Sequence, residues 1–493
     1  MAKANYQDEY QIRLEKLKKI RAARINPYPE RFEKKHNVSE ILGFKLGAKV
    51  QTAGRLLTIR GMGKIIFCHI LDITGRIQLV LKEDEVGKEN FKIFSQIFDP
   101  GDFIGVVGEV FKTQKGELSI LIKTYQFLGK AFRPMPEKWH GLKDMELKYR
   151  QRYLDLIANN ETYQRFLFRS ELIKTLREFY WQNGFIEIET PILVNNPSGA
   201  LAKPFKTHYE ALDLDVYLRI APETYLKEAI IGGFEKIFEI GRCFRNEGMD
   251  PSHLQDFTLA EHYVAYWNFE DNMKFTEELF VYLLKKLFGK TKLTIKDQSG
   301  KEQEIDFKPP WPKASFVELI KKESRLDLDK FETAEKLRAA IIAKKIKIDG
   351  IEKLGRGNLI DALYKTVCRD KITPPTFVLY QPADLSPLAR KNDQNPEIVD
   401  RFQLVISGWE IVNAYSELVD PIDQKERFAK QAKAKATGDA EAHGKDDEFV
   451  LALEHGAPPI SGWGMGLDRL VTLLTKQNNL RDVVLFPLLR PEK

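Results

Sequence analysis

One short segment near the middle of the chain, FRNEGMDPSHLQDF from Phe244 to Phe257, concentrates side chains that can do chemistry. It contains Arg245, Glu247 and His253 together with two further acids, and apolar, strand-like segments precede and follow it. The pattern predicts a loop between two strands of a hairpin. Arginine and histidine can hold phosphate groups. Any surface loop can carry charge, so the segment alone does not define a site.

Two neighbouring strands add carboxylates. Side chains alternate along a strand, so Phe257, Leu259, Glu261 and Tyr263 share one face, as do Asn413, Tyr415 and Glu417. Isolated acids such as Glu261 and Glu417 are costly to bury in apolar strands. That face is therefore either solvated or binds a cation. With the basic loop beside it, the pattern suits a ligand that has both anionic and cationic ends.

A glycine-rich segment, SGWGMGLDRL, forms the third part of the predicted cleft. Gly462, Gly464 and Gly466 would let the backbone run close to a ligand, and Arg469 falls in the first turn of the following helix. Because residue 467 is leucine, this is not the dinucleotide-binding fingerprint. Two arginines on opposite sides of a cleft commonly grip a phosphate chain.

The elements that must position these residues begin at about residue 161. A helix with apolar residues on one face ends at Asn183-Gly184, and a second helix has Pro222 in its first turn. Residues 315–370 read as a helical insertion. Strands are predicted at FIEIETP, VYLRI, EKIFEIGRCFRNE, DFTLAEHYVAYW and FQLVISGWEIVNAYSEL. Hairpin-like connections among them favour an α+β fold, an antiparallel sheet flanked by helices.

The N-terminal part has a different pattern. Residues 6–25 predict a basic amphipathic helix with Ile12, Leu14, Leu17 and Ile20 as its apolar positions. About five short alternating segments between 50 and 128 fit an OB-type barrel. We therefore expect a basic helical extension over 1–48, a barrel over 49–140, a linker over 141–160 and the larger domain over 161–493.

Composition narrows the class of protein. The 493 residues are 43% hydrophobic and 30% charged, as in globular proteins. Residues 1–140 hold 25 Lys and Arg against 16 Asp and Glu, which suggests a polyanionic partner or a basic solvated surface. The three cysteines form no CxxC pair, which favours a reducing cytoplasm. No signal peptide and no membrane segment are expected.

Three motifs together resemble the class II lysyl-tRNA synthetases of bacterial type over essentially the whole chain. The helix and strand ending at Pro191 are similar to the first class motif, FEIGRCFRNEG…HLQDFTLAEHY to the second and GWGMGLDRL to the third. The segments APETYLKEAIIGGF, SPLARKNDQNPEI and LEHGAPPISGWGMGLDR narrow the resemblance to the lysine enzyme. It implies a six-stranded antiparallel catalytic sheet preceded by an OB-fold anticodon-binding domain, in a homodimer.

The resemblance also implies a reaction. Lysine and ATP give lysyl-adenylate and pyrophosphate, and the lysyl group then passes to the 3′ end of tRNA(Lys). Arg245 would contact the α-phosphate and the substrate carboxylate, with Arg469 and His253 at the outer phosphates. Glu247 would hold the adenine, and Phe257 would stack on it. The lysine pocket would consist of Gly199, Glu223, Glu261, Tyr263, Asn413, Tyr415 and Glu417.

Two departures from the family concern the metal and the loop. Glu410 matches a Mg²⁺-binding glutamate, but its partner seven residues earlier is Gln403, a weaker neutral ligand. The number of bound metals is therefore left open. Leu254 replaces an amide of the loop, so one hydrogen-bonded contact is expected to be lost. Strict alternation would also separate Glu410 from Asn413, unless a β-bulge lies near Ile411.

In the barrel, Arg60, Phe67, Gln78 and Glu117 match the family's anticodon-reading positions. An aromatic ring can stack on an exposed base while polar side chains read its edges. The alternative is that Phe67 belongs to the barrel core.

Other functions remain open from the sequence. A sibling aspartate or asparagine enzyme would need cations where this chain has Glu261 and Glu417. A truncated protein-modifying lysine ligase would lack the barrel. An RNA-binding or regulatory protein on an inactive scaffold would not need Arg245, Glu247, Glu410 and Arg469.

Overall fold

The computed structural model describes residues 2–135, 142, 144–200, 202–436 and 446–492. The chain divides into two compact units, Met1–Lys143 and Asp144–Lys493. Each is described by itself below. Among the described residues, no helix is both long enough and apolar enough to cross a membrane.

The first unit is a closed five-stranded barrel, in agreement with the OB-type prediction. Its elements are α1 (Ala2–Ala22), α2 (Val38–Ile41), β1 (Lys49–Met62), β2 (Ile65–Leu71), β3 (Arg76–Lys82), α3 (Glu83–Val86), α4 (Lys88–Ile97), β4 (Phe103–Lys112) and β5 (Leu118–Gly129). The strands pair in the order β1-β2-β3-β5-β4 around the barrel. Alternation places Ile66, Cys68 and Ile70 of β2 in the barrel core.

The N-terminal helix was predicted correctly as an element, but one of its buried positions was wrong. Leu17 and Ile20 are buried as expected, whereas Ile12 is 57% exposed and Arg13 is buried in its place. The guanidinium of Arg13 donates to Glu9 Oε1 at 2.6 Å and to the carbonyl oxygens of Pro100 and Ala131 at 3.0 and 3.1 Å. Because these partners satisfy its donors, a charged residue can occupy the helix face turned to the barrel unit.

The second unit is built on a mixed eight-stranded sheet. Its first elements are α5 (Met145–Arg150), α6 (Arg152–Ala158), α7 (Asn160–Gln182), β6 (Ile186–Glu187), β7 (Leu193–Val194), β8 (Lys206–Tyr209), β9 (Leu214–Leu218), α8 (Glu223–Ile231), β10 (Lys236–Phe244), β11 (Asp256–Ala265) and α9 (Phe269–Phe288). A small sheet pairs β7, β9 and β8.

The rest of the unit completes the sheet and adds the helical insertion. These elements are β12 (Lys292–Lys296), β13 (Glu302–Asp306), β14 (Lys313–Ser315), α10 (Phe316–Ser324), α11 (Ala334–Ala343), α12 (Arg356–Val367), β15 (Thr376–Leu379), β16 (Arg401–Ile406), β17 (Trp409–Ser416), α13 (Pro421–Ala436), α14 (Asp447–Glu454), β18 (Ile460–Gly466) and α15 (Leu467–Leu474). Helices α10 to α12 share one apolar core, which agrees with the predicted insertion over 315–370.

The sheet order is β14-β15-β16-β17-β18-β11-β10-β6. The six central strands, from β15 to β10, are antiparallel, as the resemblance implied. Short parallel strands close the two edges, β14 beside β15 and β6 beside β10. The predicted strand FIEIETP therefore contributes only Ile186–Glu187 to the sheet.

Helices α7 and α9 bury one face of this sheet. Leu172, Leu176 and Tyr180 of α7 join Trp463 and the apolar side chains of the central strands in the largest core. Helix α7 ends at Gln182 with Asn183 as its C-cap, in agreement with the predicted stop at Asn183-Gly184, and Gly184 has a φ of +79°. Because side chains alternate across the sheet, the opposite face is left for the polar residues of the cleft.

The expected linker over 141–160 is shorter than predicted. Residues 144–158 form α5 and α6, which bond to the C-terminal end of the chain. The hydroxyl of Tyr149 donates to Asp482 at 3.2 Å, and Nε of Arg152 donates to the carbonyl of Leu485 at 3.0 Å. The segment thus belongs to the second unit, while residues 136–141 and 143 lie outside the described residues.

Candidate active site and candidate RNA-reading face

A cavity of about 330 Å³ opens on the polar face of the large sheet. The hairpin loop between β10 and β11, the start of α15 and the strands β11, β17 and β18 contribute to its lining. The structure brings together here most of the residues singled out from the sequence: Gly199, Glu223, Arg245, Glu247, His253, Phe257, Glu261, Tyr263, Glu410, Asn413, Tyr415 and Arg469. Gln403 and Glu417 do not line it.

One end of the cavity is cationic. Arg245 lies at the end of β10 with its guanidinium 5.0 Å from the ring centroid of Phe257. Nε of Arg245 is buried and has no hydrogen-bond partner among the described residues. Arg469, from the first turn of α15, lines the same cavity and donates to the backbone carbonyl of Glu410 at 3.1 Å. Such an arrangement presents unpaired donors to an anionic group.

The loop of the hairpin is held at both its exposed and its buried side. His253 Nδ1 lies 2.8 Å from Asp250 Oδ2, and the backbone N–H of Ser252 donates to Asp250 at 2.6 Å. Leu254 is 9% exposed and joins the largest apolar core. The residue that we expected only to lose a contact therefore anchors the loop by apolar packing instead.

The other end of the cavity is arranged in rows across three strands. Tyr263 of β11, Gly462 of β18 and Tyr415 of β17 form one row, and Glu261, Gly464 and Asn413 form the next. The glycines of the central strand thus leave a floor between side-chain walls.

Hydrogen bonds tie these walls to acids. The hydroxyl of Tyr415 donates to Glu223 Oε1 at 2.7 Å, and that of Tyr263 donates to Glu261 Oε2 at 3.3 Å. Burial, together with the charges of Glu223 and Glu239, raises the pKa of Glu261 to about 8. An ammonium group entering this end of the cavity would favour the ionised form of Glu261.

Two glycines of the site are required by their surroundings. Gly199 has a φ of +91°, and a methyl group on it would lie 2.9 Å from Cβ of Glu223. A methyl group on Gly462 would collide with Oε1 of Glu417 and with the ring of Tyr263. Oε1 of Glu417, a residue that is 2% exposed, therefore lies over Gly462 on the face of the sheet that carries Tyr263 and Tyr415.

A β-bulge brings Glu410 to the cavity. Leu404 pairs with Val412 and Val405 pairs with Glu410, so Ile411 is an extra residue in β17. The extra residue returns Glu410 to the face that carries Asn413, and both line the cavity. The suggestion of a bulge near Ile411 is confirmed.

The predicted metal residues form an incomplete ligand set. Burial alone would raise the pKa of the Glu410 carboxyl. The positive charges of Arg469, Lys365 and Arg401 together outweigh burial, so the pKa is lowered. Gln403 opposes Asn413 across β16 and β17, and its Oε1 is buried without a hydrogen-bond partner among the described residues. Among those residues, no group of three or more His, Cys, Asp or Glu side chains could hold a metal ion.

Sequence reasoning missed two charged residues of the site. Arg401 lines the cavity and donates from Nε to Asn413 Oδ1 at 2.9 Å and from NH1 to Ser386 Oγ at 2.6 Å. Lys227, in α8, is 1% exposed and pairs with Glu223 and Glu417. Lys227 lies in a segment that carried the resemblance, APETYLKEAIIGGF, and Arg401 lies three residues after another, SPLARKNDQNPEI. Their spacing alone does not distinguish them from surface charges.

In the barrel, the four predicted anticodon residues share one outer face. Arg60 pairs with Phe67 across β1 and β2. Nε2 of Gln78 donates to Glu117 Oε2 at 2.8 Å, and Oγ of Ser119 donates to Gln78 Oε1 at 2.9 Å. Phe67 is half-buried and alternates with the core residues of β2, so it is not a core residue of the barrel.

His69 also belongs to this face, although the sequence did not single it out. Its Nε2 lies 3.2 Å from Glu117 Oε1 and its Nδ1 lies 2.9 Å from Thr58 Oγ1. It follows Phe67 by two residues on β2, and strand alternation is the signal that could have found it.

Comparisons with known proteins agree with this geometry. The family described as tRNA synthetases class II (D, K and N) matches residues 144–490, and an OB-fold nucleic acid binding domain matches residues 50–128. The lysine–tRNA ligase of Aquifex aeolicus is 48% identical over 445 residues, which are 90% of this chain and 73% of that protein. Those of Thermosipho africanus and Carboxydothermus hydrogenoformans are 47% and 45% identical; the matches cover 97% of this chain in each case, and 95% and 97% of the relatives.

The fold and the site thus define a class II aminoacyl-tRNA synthetase that carries an OB-fold domain for binding nucleic acid. Within that class, the chain belongs to the lysine–tRNA ligase family.

Proposed function

We propose that this lysine–tRNA ligase activates L-lysine with ATP in the cavity on the large sheet and then transfers it to the 3′ end of tRNA(Lys). The observation that carries the proposal is the polarity of the cavity. Arg245, Arg469 and His253 line one part of it, and Glu223 and Glu261 line another. Lysine and ATP together carry the complementary charges: the ammonium groups of lysine suit the acidic part and the phosphates of ATP suit the basic part.

ATP would lie across the hairpin loop. Phe257 would stack on the adenine, Glu247 would hold its edge, and Arg469 and His253 would hold the outer phosphates. In activation the lysine carboxylate oxygen bonds to the α-phosphorus, and the bond from that phosphorus to the bridging oxygen breaks, releasing pyrophosphate. Arg245, whose Nε has no other partner among the described residues, would stabilise the charge that builds on the α-phosphate. In transfer, a hydroxyl at the tRNA 3′ end bonds to the lysyl carbonyl carbon, and AMP leaves.

Lysine would lie over Gly462 and Gly464. The rings of Tyr263 and Tyr415 would wall its aliphatic stem, with Glu261, Glu223 and Asn413 near the α-amino end. Glu417, whose Oε1 lies over Gly462, would meet the ε-ammonium. No side chain needs to act as a covalent nucleophile, because positioning and electrostatics supply the catalysis.

We also place magnesium at this site, with Glu410 as its protein carboxylate. Magnesium is commonly held by one or two carboxylates together with substrate phosphates, so a single carboxylate beside Arg469 fits an ion that arrives with ATP. The ion would offset phosphate charge. The unpaired Oε1 of Gln403 could offer only a neutral oxygen, and the residues present do not make a dedicated protein cage.

The outer face of the barrel would read the anticodon. Phe67 would stack on a base, while Arg60, Gln78 and Glu117 would read base edges. The basic surplus of residues 1–140 would attract the RNA backbone.

We further propose a homodimer in the cytoplasm. Large apolar side chains are exposed from the end of α7 to β7, with Trp181 54%, Ile186 52% and Leu193 56% exposed. A second copy of the chain would cover them. Light scattering on the whole chain should give twice the monomer mass; a monomer at micromolar concentration would contradict the dimer.

The cytoplasmic location is proposed from the cysteines. Cys68, Cys243 and Cys368 are all buried and free, which suits a reducing compartment.

The central test is ATP–pyrophosphate exchange with lysine, aspartate or asparagine, followed by aminoacylation of tRNA(Lys). Exchange should depend on lysine and be at background with the other two amino acids. Exchange with aspartate or asparagine instead would favour a sibling enzyme. RNA binding without any exchange would favour an inactive scaffold.

A further inference from the structure

A buried ion-pair cluster lies behind the amino-acid end of the cavity. Lys227, one turn after Glu223 in α8, is 1% exposed and does not line the cavity. Its Nζ lies 2.6 Å from Glu223 Oε1 and also contacts Oε2 of Glu417. The rings of Tyr415 and Phe449 lie 5.8 and 5.6 Å from the same ammonium. Lys227 thus joins Glu223, an acid of the cavity lining, to Glu417, whose other oxygen lies over Gly462.

The cluster sets the charge of the pocket. Three acids converge here, Glu223, Glu261 and Glu417, and Lys227 offsets one of them. Arg401, another cation of the cavity lining, is held by Asn413, Ser386 and the carbonyl of Leu385 rather than by these acids. With all three acids ionised, the state that a bound ammonium favours for Glu261, two negative charges remain, which is the number of ammonium groups that lysine carries.

The two oxygens of Glu417 differ. Oε2 contacts Lys227, whereas Oε1 lies against Gly462 and has no ion-pair or hydrogen-bond partner among the described residues. Leaving a buried carboxylate oxygen unpaired is costly. Oε1 is therefore an acceptor that a substrate donor at the floor of the cavity can satisfy.

We propose that Lys227 is a positioning residue for amino-acid specificity. It holds one carboxylate oxygen of Glu417, so that the other oxygen meets the side-chain ammonium of the substrate. It also sets the net negative charge of the pocket to the value that the two ammonium groups of lysine balance. The inference rests on lysine binding in this cavity. Lys227 acts through Glu417 and Glu223 and does not touch the substrate.

The protonation of Glu417 should make lysine binding depend on pH in a defined direction. The titratable groups around Glu417 are Lys227 and Glu223 from α8, Glu261 and Tyr263 from β11, and Tyr415 from β17. Burial raises the pKa of Glu417, and Lys227 opposes that rise. Removing the ammonium would let Glu417 keep its proton to higher pH, and a neutral Glu417 cannot pair with the substrate.

The experiment measures lysine-dependent pyrophosphate exchange from pH 6 to 9 with Lys227→Met, Lys227→Arg and the unaltered chain. The Met variant should raise KM for lysine at least tenfold near neutral pH. The decrease of KM for lysine with rising pH should occur at higher pH than in the unaltered chain. KM for ATP should change less than twofold. The Arg variant keeps the charge and should keep the pH profile of the unaltered chain. Lys425→Met, an exposed lysine of α13, is the matched control and should change neither KM.

A double variant keeps the test decisive if Lys227→Met alone does not fold, because removing both charges of a buried pair is tolerated better than removing one. Lys227→Met combined with Glu417→Gln should raise KM for lysine no further than Glu417→Gln alone. Three results would each overturn the proposal. The first is an unchanged KM for lysine and an unchanged pH profile in Lys227→Met, and the second is an equal rise of KM for ATP and for lysine in that variant. The third is a double variant whose rise in KM for lysine is the product of the rises in the two single variants. No lysine-dependent exchange in the unaltered chain would overturn the proposed function as well.

Discussion

Tyr263 and Tyr415 face each other across Gly462, in one row of strands β11, β18 and β17. Each ring carries its hydroxyl to a different acid, Tyr263 to Glu261 and Tyr415 to Glu223. The apolar walls of the pocket and its charged ends are therefore positioned by the same two side chains. A change to an acid in this region should alter amino-acid binding more than ATP binding, because the residues proposed to bind phosphate lie on the hairpin loop and α15.

Replacing Arg245 by alanine should lower the rate of lysine-dependent pyrophosphate exchange by about 10²–10³-fold, the usual cost of losing one preorganised donor to a developing charge. Arg242→Ala is the matched control, since that arginine lies three residues before Arg245, its side chain is 39% exposed and it pairs with Asp256. The control should keep near-normal exchange. Exchange within tenfold of the unaltered chain in Arg245→Ala would contradict the role given to Arg245.

Replacing Gln403 by glutamate should change the magnesium dependence of adenylate formation without changing the choice of amino acid. An anionic oxygen next to Asn413 and near Glu410 should strengthen cation binding. The measurement is exchange over a magnesium titration, with the exposed Gln394→Glu as control. Superimposable titrations for all three proteins would show that residue 403 lies outside the reach of the metal.

Replacing Glu261 by glutamine should weaken the pH dependence of stability in the absence of substrate. The folded protein holds a proton on Glu261 up to a pKa of about 8, whereas an unperturbed glutamate has a pKa of 4.5. The native state therefore binds more protons between these values, and stability falls as pH rises through the window. Tm should drop less between pH 5 and pH 8.5 in Glu261→Gln than in the unaltered chain or in the exposed control Glu278→Gln. Parallel curves for all three would argue against a protonated Glu261.

Replacing Phe67 by alanine should leave exchange intact and weaken aminoacylation of tRNA, because one stacking platform contributes roughly 1–3 kcal/mol per base. Phe103→Ala is a matched control, a 40% exposed phenylalanine of the same barrel that lies under Arg55. The control should affect neither assay. Equal losses in both assays for Phe67→Ala would indicate a structural role, and no loss would mean that Phe67 does not contact RNA.

Replacing Glu417 by glutamine keeps the size of the side chain and removes its charge. The substrate ammonium would then lack its counter-ion, and a loss on the order of 2–5 kcal/mol in kcat/KM for lysine is expected. ATP affinity, measured separately, should hardly change. The exposed Glu397→Gln is the control. Normal kcat/KM for lysine would rule out this pocket assignment, and parallel losses of lysine and ATP binding would show that Glu417 supports the fold of the site.

Local patterns were enough to predict much of the fold. Alternation and turn residues indicated the barrel strands. Helical periodicity indicated α7, and the Asn183-Gly184 pair indicated its C-terminal end. The edge strands β6 and β14 are two and three residues long, too short for a periodic signal. The bulge at Ile411 could be suggested only because Glu410 and Asn413 had to share a face.

Buried charges were the least predictable feature. Ile12 was expected among the apolar positions of the N-terminal helix, but it is exposed and its neighbour Arg13 is buried. Lys227 looks like a member of an ordinary helix ion pair, since Glu223 precedes it by one turn. Whether such a charge is buried depends on partners far away in sequence, here the carbonyl of Ala131 for Arg13 and Glu417 for Lys227. A single sequence without such contacts does not contain that information.

The position of β18 has a consequence for synthesis of the protein on the ribosome. This strand, Ile460–Gly466, follows both β11 and β17 in the chain, yet it is inserted between them in the sheet. Until it emerges, the facing edges of β11 and β17 cannot pair with it, and unpaired strand edges favour association with other chains. A nascent or prematurely terminated chain that lacks β18 should therefore be inactive and prone to aggregate, even with its barrel complete.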